Sequence, residues 1–190
     1  GRTTLSKQKG NLFLNAAFGF VDPRYDINDI GFMWRGDMIN MHAFANYSFT
    51  DPTSWYRSMS FGASLFQSFD FDGNSAWNGV FQNGSFEFLN YHSINWNLAY
   101  NPESISSRLT RGGPLAKNYA GYQVGFNYHS DSRKDVVFGL GYFTYRTTDD
   151  SYSDSYDMSI QWKPASNLSM EITPGMSLNY DNVQYVTSVD

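Results

Sequence analysis

The 190-residue chain contains no cysteine. That removes disulfides and thiolate metal sites, and with them any reading of redox compartment. Charge is scarce too: Asp, Glu, Lys and Arg make up 16% of the chain, and the net charge is -5 with a pI near 5.0. An acidic chain has no basic surface with which to displace counterions, so nucleic acid is excluded as a general partner. No apolar run approaches the ~20 residues of a membrane-spanning helix, and no stretch has the 3.6-residue periodicity of an amphipathic helix. The opening residues, GRTTLSKQKG, lack the apolar centre of a signal peptide, so an exported form would have lost its signal or carry it upstream.

Aromatic rings are abundant, at 18% of the chain, yet mean hydropathy is -0.47. A chain rich in large rings but hydrophilic on average must interleave the two kinds finely. It does so at period two. In LSMEITPGMSLNY (168 to 180), Leu168, Met170, Ile172, Pro174, Met176, Leu178 and Tyr180 alternate with Ser169, Glu171, Thr173, Gly175, Ser177 and Asn179. Successive strand side chains point to opposite faces, so this is a strand with one oily and one polar side.

The same pattern places Leu12, Leu14, Ala16, Phe18 and Phe20 against Asn11, Asn15 and Gly19. It places Ile39, Met41, Ala43, Ala45 and Tyr47 against Asn40, His42, Asn46 and Ser48. Met59, Phe61, Ala63 and Leu65 oppose Ser58, Ser60, Gly62, Ser64 and Ser68, and Phe86 and Phe88 oppose Ser85 and Glu87. With INWNLAY, YQVGFNYH, VVFGLGYFTY and YDMSIQW added, about nine strands are expected. Turn-rich connections separate them. Those at TDPTSW, NYHS, HSDSRKD and KPASN are short, whereas VDPRYDINDIGFMWRGD, DFDGNSAWNG, NPESISSRLTRGGPLAKNYA and TTDDSYSDS are longer. Alternate long and short connections are the up-and-down topology of an outer-membrane barrel.

Alternation alone fits two solvents. In a soluble sandwich or lipocalin-like module the oily faces pack on protein; in a membrane barrel they meet lipid and the polar faces line the lumen. Three features favour lipid. Strands of about 10 to 14 residues exceed the usual soluble length, and 13 residues inclined at 45° span about 30 Å, the hydrocarbon thickness. The polar face is built of Ser, Asn, Gly and Thr, with the in-strand acids Glu87, Asp157 and Glu171 on that parity. Trp34, Trp55, Tyr56, Tyr91, Trp96, Tyr100, Trp162 and Tyr180 fall at or near expected strand ends, where amphipathic rings favour the membrane interface. Pro174 lacks a ladder donor and predicts a bulge or kink beside Gly175.

DINDIGFMWRGD (26 to 37), SRLTRGGPLAKN (107 to 118), SDSRKDVVFGLGY (130 to 142), QWKPASNLSMEITP (161 to 174) and DNVQYV (181 to 186) resemble, in this order, the barrel portion of a bacterial outer-membrane family, domain-of-unknown-function family 5916. Its members typically carry a carbohydrate-binding-module-family-9-like domain ahead of a large C-terminal barrel. The resemblance implies fold and location but supplies no catalytic residue. It also implies that this chain corresponds to an internal portion of a larger barrel, whose remaining strands come from further sequence or another chain. An odd count of nine strands agrees, because bacterial single-chain barrels use even numbers.

Candidate chemistry is sparse. His42 and His129 share the polar parity, and a serine hydrolase in the wall would need Ser, His and an acid within hydrogen-bond reach. With serine this abundant, polar wall residues are the simpler reading. Arg108, Arg111 and Lys117 beside Gly112 and Gly113 could hold a phosphate or acidic glycan. The alternative is a loop folded into the barrel mouth, its arginines pairing with Asp26, Asp29 or Glu103. DFDGNS and DDSYSDSYD offer oxygen ligands for calcium but lack EF-hand spacing, so they read as solvated acidic loops.

The expectation is a single all-β domain over residues 1–190: an antiparallel transmembrane β-barrel segment in the bacterial outer membrane. Asn15, Asn40, His42, Ser60, Glu87, Asn97, Asn127, His129, Asp157 and Glu171 would face the lumen, with no catalytic residue, metal or cofactor expected. Its partners would be the lipid bilayer, the remaining strands, and other outer-membrane proteins or glycans. The function would be that of a channel, transporter or surface anchor, with a barrel-embedded hydrolase or a soluble binding module as the competing classes.

Overall fold

The computed structural model describes residues 1–26, 31, 36–106, 109–110 and 113–183. These contain thirteen strands and no helix: β1 (Arg2–Lys7), β2 (Leu12–Val21), β3 (Met38–Phe49), β4 (Tyr56–Phe69), β5 (Ser75–Phe88), β6 (Ser93–Asn101), β7 (Ser104–Ser106), β8 (Ala116–Asn118), β9 (Gly121–His129), β10 (Val136–Thr147), β11 (Tyr152–Ala165), β12 (Leu168–Ile172) and β13 (Gly175–Tyr180). All but β7 and β8 form one antiparallel sheet in the order β1-β2-β3-β4-β5-β6-β9-β10-β11-β12, with β13 also on β11. The pattern is a meander, in which each strand pairs with the next along the chain. Only β6 to β9 steps over an insertion, the small β7–β8 hairpin.

β12 and β13 continue one register along β11, with Ile172 opposite Ile160 and Gly175 opposite Asp157. The bulge expected at Pro174 is therefore not there. Proline forfeits only its own N–H; its carbonyl still accepts the Met158 N–H at 3.0 Å, and the rungs on either side hold the alignment. The register shift lies instead between Trp162 and Ala165. Counting β12 and β13 as one interrupted strand, the sheet is ten strands wide rather than nine. The strand missed is β1, RTTLSK, which has no apolar alternation and is a strand because it pairs with β2, from Arg2 opposite Gly19 to Lys7 opposite Leu14. The argument from an odd strand number falls with it.

Two connections expected to be long are tight turns. β5 begins at Ser75 and β11 at Tyr152, because the acids close the chain locally. The Asp70 carboxylate accepts the Asn74 N–H at 2.7 Å and its side-chain amide at 2.8 Å, and Gly73 takes φ 87. Asp149 accepts the Ser151 hydroxyl at 3.0 Å in the same way. Side-chain carboxylates that bond groups two to four residues on are turn formers, and Asp70 and Asp149 close these two turns.

No large side chain among the described residues is fully buried, and the buried hydrophobics are Ala17, Tyr56, Ala76 and Ala99. The oily face is bare. Phe18 is 49% exposed, Phe61 44%, Leu140 51% and Ile172 69%. At roughly 200 Å² per large side chain, half-exposed Phe138, Leu140, Met158, Trp162, Met170 and Ile172, all on β10 to β12, already present on the order of 600 Å². That one corner equals the largest apolar patch of an ordinary soluble monomer, about 300–600 Å².

Candidate functional site

The register puts all ten polar candidates on one face. Asn15 lies opposite Phe44, a neighbour of His42 two positions along β3, and Asn40 lies opposite Ser68. Ser60 lies opposite both Ser48 and Ser85. Glu87 pairs with Ser93 and Ser93 with His129; Asn97 pairs with Gly125, Asn127 with Gly141, Gly141 with Asp157, and Glu171 with Gln161. Because side chains alternate, one shared parity carries the set across the whole sheet.

This face is tightly interlocked. Asn83 lies over Gly62, so that a Cβ there would meet its Oδ1 at 2.6 Å. Asn97 covers Gly125, Asp157 covers Gly141 and Ser159 covers Gly139 in the same manner. Side-chain pairs link neighbouring strands: His42 Nε2 to Asn15 Oδ1 at 2.7 Å, Asn15 to Ser6 at 2.7 Å, Ser60 to Ser85 at 2.8 Å and Ser155 to Ser177 at 3.1 Å. Neither His42 nor His129 bonds a serine among the described residues, so no nucleophile–base pair is assembled there.

The face is not uniformly polar, which the alternation reading overlooked. Phe13, Phe44, Phe66, Trp77, Phe81, Phe143 and Tyr145 share its parity. They cluster: Phe13 with Phe44 at 5.9 Å between ring centroids, Phe66 with Trp77 at 4.2 Å and Phe66 with Phe81 at 5.4 Å. Phe44 and Phe66 occupy the gaps in the polar runs of β3 and β4, a signal present in the sequence. One acid breaks the opposite rule. Asp154 sits on the oily parity of β11, where Arg146 Nη2 meets it at 2.7 Å, so the charge there is paired.

At the end of the sheet where β6 gives way to β9, the β7–β8 hairpin lies beside the polar face. The hairpin helps enclose a cavity of about 900 Å³ lined also by Trp77, Phe81, Gln123, Tyr145 and Asn179. Gly113 N–H bonds Thr110 O at 3.2 Å and the Thr110 hydroxyl bonds Pro114 O at 2.7 Å, giving the loop its turn. Lys117 is at 2.6 Å from Glu103, one of the acids expected to pair with an arginine of this loop. Arg108, Arg111 and Gly112, named as candidate anion ligands, lie outside the described residues, as does Asp29.

The opposite end carries a stacked ionic cluster. The Tyr91 ring, held at φ 64, has the Arg57 guanidinium 4.0 Å from its centroid and that of Arg133 at 3.1 Å. Arg57 pairs with Glu87 at 3.1 Å, and Arg133 grips Asp131 through Nε and Nη2, each at 2.8 Å. The side-chain hydrogen bonds from Arg133 hold the Asp131 carboxyl well below the usual carboxylate range, against the opposing effect of burial. His92 Nδ1 and the Tyr128 hydroxyl are 2.6 Å apart beside it. The cluster ties the turns after β5 and β9 to the start of β4. Its charges satisfy one another, so it reads as a brace.

These features define an open, all-β antiparallel sheet with one polar face, capped at one end, and one bare apolar face. The chain belongs to the family described as domain of unknown function (DUF5916), whose match covers residues 1–190. No curated protein and no solved structure matches it.

Proposed function

We propose that this chain is a wall segment of a transmembrane β-barrel in the bacterial outer membrane, acting as a channel or transporter without catalysis of its own. The observation that carries the reading is the bare apolar face: in water, rows of half-exposed Phe, Leu, Met and Ile would each forgo up to about 1.5–3 kcal/mol of burial, whereas acyl chains supply it. Strand length supports it, since the fourteen residues of β4, β5 or β11 reach about 46 Å, or about 33 Å at 45°.

An interfacial row supports it further. On the apolar face, Tyr100 pairs with Tyr122, Tyr122 with Arg146, Arg146 with Tyr152 and Tyr152 with Tyr180. Such a belt of phenols at one end of the strands suits headgroup level, where a ring can sit in hydrocarbon and its hydroxyl in water. The two unpaired edges, β1 and β12/β13, would be costly in lipid, so further strands, from additional sequence or another chain, pair with them in the intact wall.

The test is detergent dependence followed by flux. The full-length protein is expected to precipitate when detergent is removed and to pass small ions or sugars when reconstituted in liposomes. A protein that stays monodisperse in detergent-free buffer would defeat the membrane reading; one that inserts yet leaves vesicles sealed would defeat the channel while sparing the location.

A further inference from the structure

The capped cavity has a lining that specifies a class of ligand. The cation of its described lining, Lys117, is paired with Glu103, while the Asp149 carboxylate accepts from the Ser151 N–H and hydroxyl and Asp181 is exposed at the edge. No unpaired cation among the described lining residues draws an anion. Among the described residues, neutral lining groups that make no side-chain hydrogen bond include the side-chain amides of Asn101 and Gln123 and the Tyr145 hydroxyl, and Asn78 Oδ1 is buried without a partner. Each amide both donates and accepts.

Beside these groups stand ring faces. Trp77 is 59% exposed while Phe66 supports it at 4.2 Å. Phe81, Ala99, Gln123 and Tyr145 occupy successive strands in one register row. Ring, amide and phenol therefore span three interstrand steps, about 14 Å, longer than a single small ligand requires. A concave site with flat apolar rings and a few convergent neutral polar groups suits a molecule that is uncharged, hydroxyl-rich and apolar on its flat C–H faces.

We infer that this cavity, at the end of the polar face beside the β7–β8 hairpin, binds a neutral oligosaccharide. The inference stands on the residues of this chain alone and does not require the membrane reading. Ring faces take the sugar C–H surfaces, while Asn101, Gln123 and Tyr145 exchange hydrogen bonds with its hydroxyls.

The experiment is calorimetric titration of the full-length protein in a zwitterionic detergent without a sugar headgroup. The probes are maltohexaose, cellohexaose, xylohexaose and chitohexaose, with tetragalacturonate and hexaalanine as anionic and peptide comparators. At least one neutral hexasaccharide is expected to bind. Trp77→Ala and Gln123→Ala are each expected to weaken it about tenfold or more, equivalent to about 1.4 kcal/mol, while Asn127→Ala, on the same face outside the cavity, leaves it unchanged. Gln123→Ala removes no packing ring and keeps the test valid if Trp77→Ala misfolds. No heat with any neutral hexasaccharide at about 10 mM, binding of galacturonate or peptide alone, or binding indifferent to Gln123→Ala would each overturn the proposal. Failure of the membrane reading would register separately, as solubility without detergent.

Discussion

Leu140→Arg separates lipid from water as the solvent of the apolar face. Leu140 lies in β10, Val136–Thr147, and is 51% exposed between Tyr128 and Met158. Twelve residues rise about 40 Å, or about 28 Å at a 45° tilt, which puts Leu140 roughly 9 Å from the Val136 end and about 5 Å from the midplane. An arginine costs about 2–4 kcal/mol at the midplane of a barrel wall and about 0–1 near the interface; the expected loss here is about 2 kcal/mol, roughly a thirtyfold fall in the folded-to-unfolded ratio. Reversible urea unfolding in lipid vesicles, followed by tryptophan fluorescence, measures it. Asn127→Arg, on the polar face, is the control and is expected to stay within about 0.5 kcal/mol. If both arginines leave stability within that margin, the apolar face is not in hydrocarbon and the reasoning fails.

Two further outcomes follow from the described geometry. Asp131 has a folded pKa below its unfolded value, so its contribution is present above about pH 4 and is lost as pH falls from there through the folded pKa; unfolding midpoints between about pH 5 and 2 should fall more steeply for the wild type than for Asp131→Asn, and parallel curves would show that the Arg133 pair contributes nothing. Gly62→Val drives a methyl into the amides of Asn83 and Asn46, with an expected loss of about 1–3 kcal/mol from overcrowding; a shift under about 0.5 kcal/mol in the same unfolding assay would mean that those amides swing aside freely.

Much of this fold was legible residue by residue, because a strand's period is two and each alternation assigns faces locally. Asn40, His42 and Ser60 landed on one face for that reason, and so did Phe18, Phe61, Leu140 and Ile172 on the other. The aromatic members of the polar face were equally legible in principle: Phe44 and Phe66 have the right parity, yet a ring among serines and asparagines was passed over because hydrophobic identity was allowed to outweigh position. Asp70 and Asp149 fall where turn residues are expected, and by accepting from Asn74 and Ser151 their carboxylates close the chain in a few residues, so two connections that composition makes look long are tight.

Other features had no local signal. β1 is a strand because β2 offers it a ladder, and no pattern within RTTLSK announces that. The stacking of Arg57 and Arg133 on Tyr91, and the grouping of Trp77, Gln123 and Tyr145 with the β7–β8 hairpin around one cavity, join residues distant along the chain. Composition and alternation by themselves determined an all-β chain with one oily and one polar face. Tertiary structure decided the strand count, the open edges and the cavity, since long-range pairing sets which side chains meet and a period of two says only which way each one points.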